Sequence, residues 1–273
     1  MHAPTSAPIP TDLLLNAYRS GIFPMADGRA DDQIFWVEPR ERAIIPLDGF
    51  HCSRSLARTL RRERYRVTID QAFNAVLDAC AAPRADHPDT WISERIAASY
   101  RALFAAGHAH SVECWDGDTL VGGLYGVAFE RVFCGESMFS RSRDSSKVAL
   151  AWLVVLLRRA GFRLLDCQFM TEHLYSLGAV PISREEYLEA LAEAISYGDA
   201  GDLRTAYSGI VSAVPAAGSG SVGAGVAGDG VAAGAGAAVA DAVGCGADRP
   251  GDGTRTAASS PGKVIAQSLI QTS

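Results

Sequence analysis

Lysine is almost missing from this chain of 273 residues: Lys147 and Lys263 are the only two, so nearly all of its positive charge is arginine. With 25 basic against 31 acidic residues the formal net charge is −6, a balance that by itself argues against nucleic acid as a partner. Where the arginines sit therefore decides the matter. Cysteine is sparse as well: Cys52, Cys80, Cys114, Cys134, Cys167 and Cys245 stand singly, without a CxxC pair, and read as reduced packing residues rather than a disulfide or zinc framework. His108 and His110 form an HxH, yet no further ligands stand at zinc-site spacing, so no metal is expected. No apolar run approaches membrane-spanning length, and Met1 to Pro10 has neither the basic start nor the apolar centre of a signal peptide. A cytoplasmic protein with no membrane partner is expected. What the chain does have is 48% hydrophobic residues, enough for a full core in one large domain or two modest ones.

Thr11, Asp12 and the run LLLNAY open a short helix that Gly21 ends, and Phe23-Pro24 enforces an extended exit. After Phe35-Trp36 comes RAIIPL, a short strand. Ser53 then caps a helix from Arg54 to about Glu63. That helix carries Arg54, Arg58, Arg61 and Arg62, with Arg64 and Arg66 just beyond and only Glu63 against them, and its spacing gathers arginines into a stripe. A phosphate backbone is one partner for such a stripe; the other reading is an ordinary basic surface helix that packs Leu56 and Leu60 inward.

From Val67 on, IDQAFNAVLDACA reads as a helix with Ala72, Phe73, Val76, Leu77 and Cys80 on its buried side, followed by a polar loop through Pro83, Pro88 and Asp89. Trp91 precedes a further helix, ISERIAASYRALFAAGH, and stands either as core filler or as a stacking platform beside that helix's N-terminus. Asp116-Gly117 and Glu130-Arg131 mark turns that divide the next stretch into three antiparallel strands, and Gly122, Gly123 and Gly126 let something approach the middle strand closely. SSKVALAWLVVLLRRAG, apolar nearly all round, is a buried helix. Strand RLLDCQF, a short helix in TEHLYSLGA and a capping-box helix from Ser183 follow. Three units are expected: residues 1–66, a small N-terminal α/β domain with the arginine-rich helix; 67–200, a catalytic domain; and 201–273, an Ala/Gly/Val tract with no period that could bury a face, expected to be disordered.

Two polar clusters interrupt the apolar segments between Phe133 and Phe169. In RLLDCQF read as a strand, side chains two apart share a face, so Asp166 and Gln168 point one way and Cys167 the other. Glu136, in FCGESMFS, is the second cluster. An acid and an amide side by side at a sheet edge are candidates for chemistry, whereas a lone Asp that only caps a turn is the plainer alternative.

The order of elements resembles the Gcn5-type acyltransferase fold, an α+β arrangement whose sheet is mixed but mostly antiparallel and flanked by helices. In members that use coenzyme A a glycine-rich loop wraps the pyrophosphate, and the corresponding SRSRDSSK has no glycine, so coenzyme A is not expected and no cofactor is. The motifs YRSGIFPM, HCSRS, TWIS, GHAHSVE, LVGGLYGV, FCGESMFS, DCQF and SLGA, spread from about Leu13 to Leu191, are together similar to those of the bacterial leucyl/phenylalanyl-tRNA–protein transferase family. The resemblance implies an enzyme that moves leucine or phenylalanine, and methionine less well, from aminoacyl-tRNA to acceptor proteins with N-terminal Arg or Lys, marking them for N-degron degradation. It implies Asp166, Gln168 and Glu136 as catalytic residues. It puts Leu124, Phe133, Leu153 and Leu157 around the pocket for the amino-acid side chain, and Trp91, Tyr18 and Tyr100 at the terminal adenosine and aminoacyl end. The arginines Arg54, Arg58, Arg61 and Arg62 would then meet the tRNA backbone. Some relatives carry tryptophan after the FP pair where this chain has Met25, which puts adenosine contact from that position in doubt. Two other classes stay open: a coenzyme-A-dependent N-acetyltransferase on the same fold, and a non-catalytic RNA-binding module built on the arginine helix.

Overall fold

In chain order the elements are α1 (Thr11–Arg19), β1 (Phe23–Met25), β2 (Phe35–Val37), β3 (Glu41–Ile44), α2 (Arg54–Arg61), β4 (Arg66–Ile69), α3 (Phe73–Ala81), α4 (Glu94–Ala105), β5 (Ala109–Asp116), β6 (Thr119–Phe129), β7 (Val132–Ser140), α5 (Ser145–Ala160), β8 (Leu164–Gln168), α6 (Glu172–Tyr175), β9 (Val180–Ser183), α7 (Arg184–Ser196), α8 (Leu203–Ser212) and α9 (Pro261–Ile270). They come from a computed structural model that describes residues 7–83, 90–213 and 260–270. The fold is α+β. A two-stranded antiparallel piece, β1 with β2, stands beside α1, and seven strands form the main sheet in the order β4-β5-β6-β7-β8-β3-β9.

The meander β5-β6-β7 is set by its turns. Gly117 (φ +59°) and Glu130 (φ +42°) take the left-handed backbone that a tight reversal needs, and the latter does so without being glycine. The close approaches offered by the glycines of β6 are taken up from within the chain. A Cβ on Gly122 would overlap Ser145 Oγ, and one on Gly126 would overlap the carbonyl of Cys134 and the ring of Phe133. Ser145, fully buried at the start of α5, uses that space to donate to the carbonyl of Val121 at 2.9 Å.

The one parallel pair decides where a site can form. After β7 the chain crosses over through α5, apolar almost all round as its sequence requires, and returns as β8 alongside β7. Pairing covers only Val132↔Leu164, Phe133↔Leu165 and Cys134↔Asp166, although β7 continues to Ser140 and β8 to Gln168. Beyond Cys134 and Asp166 the two strands part, and the gap between them opens into a cavity. β8 gives its other edge to β3, which also pairs with β9.

Helices cover both faces. On one lie α5, α2, α8 and α9, around Leu56, Leu60, Leu153, Leu203 and Leu269. On the other lie α1, α3, α4 and α7, around Leu14, Tyr18, Val76, Tyr100 and Tyr187.

Three differences from the sequence reading have physical reasons. Arg66–Ile69, read as the approach to a helix, is instead strand β4, because Val67, Thr68 and Ile69 bury against β5. β3, inside the first expected unit, pairs with strands of the second, so the sheet crosses the division expected at residue 66. The tail expected to lack structure from residue 201 holds two helices. In α8 the Asp202 side chain caps Thr205 N at 2.6 Å and Leu203 and Ile210 are buried; α9 buries Ile265, Ala266 and Leu269. Averaged composition hid those short amphipathic spacings. The Ala/Gly/Val tract itself, residues 214–259 with Cys245, and Pro88 and Asp89 of the polar loop lie outside the described residues.

Candidate active site

β8 ends in an unusual residue. Gln168 has φ +62°, a left-handed conformation that costs an ordinary side chain energy and persists only where its neighbours enforce it. Its backbone N–H donates to Asp166 Oδ1 at 2.7 Å, a local ring that holds the turn. Its side-chain Nε2 donates to Glu136 Oε1 at 3.0 Å, across the gap from β7. The carboxamide is thereby oriented, and its Oε1, with no protein partner among the described residues, remains free to accept.

Glu136 is the hub. Tyr18 OH donates to its Oε1 at 2.7 Å and Tyr100 OH to its Oε2 at 2.7 Å, and the two phenol oxygens are themselves 2.7 Å apart. α1 and α4 supply these tyrosines from the covered face of the sheet. Burial raises the pKa of both phenols, so they remain protonated donors. Burial likewise pushes the Glu136 carboxyl up to about 7; hydrogen bonds from Tyr100, Tyr18 and Gln168 oppose the shift and nearby Asp166 adds to it.

Asp166 is fully buried and does not reach the cavity. It is gripped by Arg42 on β3, with Nε at 3.0 Å from Oδ1 and Nη2 at 2.7 Å from Oδ2, and by Tyr187 OH at 3.0 Å. The alternation along β8 is present: Asp166 and Gln168 bond to groups on the α1/α4/α7 side, whereas Cys167 packs against the α5 side.

The gap between β7 and β8 opens into a cavity of about 590 Å³. Leu124, Met138, Leu150, Leu153 and Leu165 give it apolar walls, Glu136 and Gln168 a polar corner, and Trp91, Met25 and Phe23 another part of the lining. Cys167 also lines it, but burial holds the thiol well above its ordinary pKa, so it is a neutral wall group and not a nucleophile. His173, also on the wall, is held below the usual histidine value by burial, and its Nε2 has no partner among the described residues.

Of the residues expected around the pocket, Leu124, Leu153 and Trp91 line the cavity. Phe133 and Leu157 do not: both are fully buried, Phe133 in the part of β7 still paired to β8 with its ring edge-on to Phe162, and Leu157 one turn further along α5 than Leu153. Tyr18 and Tyr100 stand behind Glu136 rather than in the lining. Arg54, Arg58 and Arg61 on α2 and Arg62 just past its end are exposed, none in a salt bridge with a described residue, while Arg64 pairs with Asp116 at 2.7 Å. His110 of the HxH bonds Asp70 at 2.8 Å, and no group of three potential metal ligands occurs among the described residues.

Sequence reasoning missed Arg42 and Tyr187. A single arginine leading into the apolar run AII, at a strand position that faces inward, was the available signal for Arg42.

Comparison with known proteins gives the chain a family. The family model described as leucyl/phenylalanyl-tRNA protein transferase matches residues 44–192, and that of the family's N-terminal domain matches residues 8–40. A leucyl/phenylalanyl-tRNA–protein transferase of Novosphingobium aromaticivorans is 58% identical over 266 residues, covering 97% of each chain. One of Rhizorhabdus wittichii is 58% identical over 187 residues, 68% of this chain and 75% of that one. Among solved structures, L-PGS from Bacillus licheniformis is 14% identical over 60% of this chain and 55% of its own, with a TM-score of 0.33. The chain belongs to the leucyl/phenylalanyl-tRNA–protein transferase family, and is an aminoacyltransferase.

Proposed function

We infer that the protein transfers leucine or phenylalanine, and methionine less well, from aminoacyl-tRNA to proteins whose N-terminal residue is Arg or Lys, in the cytoplasm, marking them for N-degron degradation. The observation that carries this is the oriented Gln168–Glu136 pair at one corner of an apolar cavity large enough for a leucine or phenylalanine side chain. The parting of β7 from β8 supports a Gcn5-type fold, in which an acyl donor lies in such a gap.

The donor is an ester, already activated, so aminolysis mainly needs both reactants held in line and the amine neutral. The amine nitrogen attacks the ester carbonyl carbon, the new C–N bond forms, and the C–O bond to the ribose breaks; the proton released by the amine balances the one taken up by the leaving ribose oxygen. Gln168 is no base, since a carboxamide has almost no proton affinity near neutrality. With Nε2 committed to Glu136, its Oε1 is the end that accepts a hydrogen bond from the incoming amine. Leu124 and Leu153 favour large apolar side chains, a methylene-sized difference being worth about 1–3 kcal/mol. Trp91 offers a ring for the terminal adenine, about 1–3 kcal/mol of stacking. Exposed and free of ion pairs with described residues, the arginines Arg54, Arg58, Arg61 and Arg62 suit the tRNA backbone.

The test is transfer of labelled phenylalanine from its tRNA to a peptide with N-terminal Arg, in parallel with one beginning with Ala. Product on the first alone is expected. Heat released on titrating acetyl-coenzyme A, or salt-sensitive tRNA binding without product, would favour the acetyltransferase or the RNA-binding module instead.

A further inference from the structure

A buried forked ion pair beside the cavity belongs to a residue that is not in its lining. Arg42 is 2% exposed and spends its whole guanidinium on groups of the protein. Nε and Nη2 fork onto Asp166, Nη1 donates to the carbonyl of Gly21 at 2.9 Å, and Cζ lies 4.2 Å from the Tyr187 ring centroid and 4.9 Å from that of Phe23. Asp166 passes this constraint on: its Oδ1 receives both Arg42 Nε and the N–H of Gln168. On the other side β3 pairs Ala43 with Gln168 through an irregular register step, so Arg42 is next in sequence to the residue lying opposite the turn.

A buried pair of this kind is weak evidence for stability, because removing two charges from water costs about as much as their attraction returns. It is better suited to fixing geometry. The geometry at stake is the left-handed turn at Gln168, which an ordinary residue does not adopt unaided. Resting on the transferase reading above, we propose that Arg42 is a positioning residue: its fork holds Asp166, Asp166 holds the Gln168 backbone, and the two together aim the Gln168 carboxamide into the cavity. On this account Asp166 neither touches substrate nor takes the amine's proton; it is the middle link of a chain running β3, β8, cavity.

The test uses the full-length chain with Phe-tRNA and an N-terminal-Arg peptide, kcat and KM measured separately and folding followed by thermal melts. Arg42→Lys keeps the charge and loses the fork. The expected result is a folded protein with kcat lowered by roughly 10–100-fold and KM for Phe-tRNA unchanged, the scale of loss from a small misplacement of a reacting group. Because Arg42→Met alone strands a buried carboxylate, the companion is the neutral pair Arg42→Met with Asp166→Asn, which still offers Gln168 N–H an acceptor. It is expected to fold and to keep transfer above that of Asp166→Ala. Wild-type kcat in a folded Arg42→Lys would overturn the proposal, reducing the ion pair to a structural brace. Transfer by a folded Asp166→Asn with Arg42 left in place, which keeps an acceptor for both Arg42 Nε and Gln168 N–H, no greater than that of Asp166→Ala would overturn it too, since a carboxylate at residue 166 would then be needed for the chemistry. If the wild-type chain itself yields no product, the transferase reading fails first, and the two failures are told apart.

Discussion

Glu136 holds a largely buried carboxyl at the cavity's polar corner and surrounds it with three donors, and the balance is legible in pH. The folded carboxyl titrates at about 7 against an ordinary 4.5, raised chiefly by burial and further by Asp166, with Tyr100, Tyr18 and Gln168 opposing. Between those values the folded chain holds a proton that the unfolded chain has released, so stability falls as pH rises through this window and the full cost is present above it. Glu136→Gln removes that dependence. Melting curves at pH 5 and pH 8 are expected to show the variant gaining on wild type at the higher pH; a parallel pair of curves would contradict the burial argument. Transfer by the same variant is expected to fall by about 10-fold or more, because an amide accepts at one end only, so the three donors on residue 136 must rearrange and the hold on the Gln168 carboxamide is loosened. At this scale the sequence showed Glu136, Asp166 and Gln168 through their isolation among apolar neighbours. Arg42 and Tyr187 were not visible, since Arg42 reaches Asp166 only through the β3–β8 pairing and Tyr187 only through the packing of α7 against the sheet.

Among the elements, α2 is divided by face: Leu56, Ala57 and Leu60 turn inward, and the arginines outward. Replacing Arg58, Arg61 and Arg62 by Gln should therefore leave the melting temperature nearly unchanged, exposed substitutions being worth within about 0.5 kcal/mol. KM for aminoacyl-tRNA should rise with kcat unchanged, and the slope of log affinity against log salt should flatten by about one for each phosphate no longer neutralised. A triple variant that binds tRNA with the wild-type salt slope would return α2 to the status of a solvated surface helix. Most elements were readable because each carries its own punctuation: Ser53 caps α2 as its position implies, and the Ser183/Glu186 capping box starts α7. β4 and β9 were not, each being a strand of four residues at an edge of the sheet, with less pattern than its neighbours in sequence.

At the scale of the whole molecule, the last described helix packs back on the middle of the chain. α9 lies against α2 and α5: a Cβ on Gly262 would overlap the carbonyl of Leu60, its N–H donates to Glu63 Oε1 at 2.9 Å, and Arg158 of α5 donates to the carbonyl of Ser268 at 3.1 Å. Composition across residues 201–273 pointed the other way, because Ile265, Ala266 and Leu269 form one short apolar stripe after a long tract of small residues. The packing has a consequence beyond stability, since α9 braces the inner side of the helix whose outer side carries the arginines. Ile265→Ala and Leu269→Ala should each destabilise by about 2–4 kcal/mol, as large-to-small changes in a packed core do. Deleting residues 260–273 should lower the melting temperature and, in the surviving folded fraction, raise KM for aminoacyl-tRNA while kcat holds, because α2 loses its brace while Gln168 and Glu136, on the other face of the sheet, lose nothing. A deletion that lowers kcat and spares KM would mean that the terminal helix acts through the cavity and not through the arginine face.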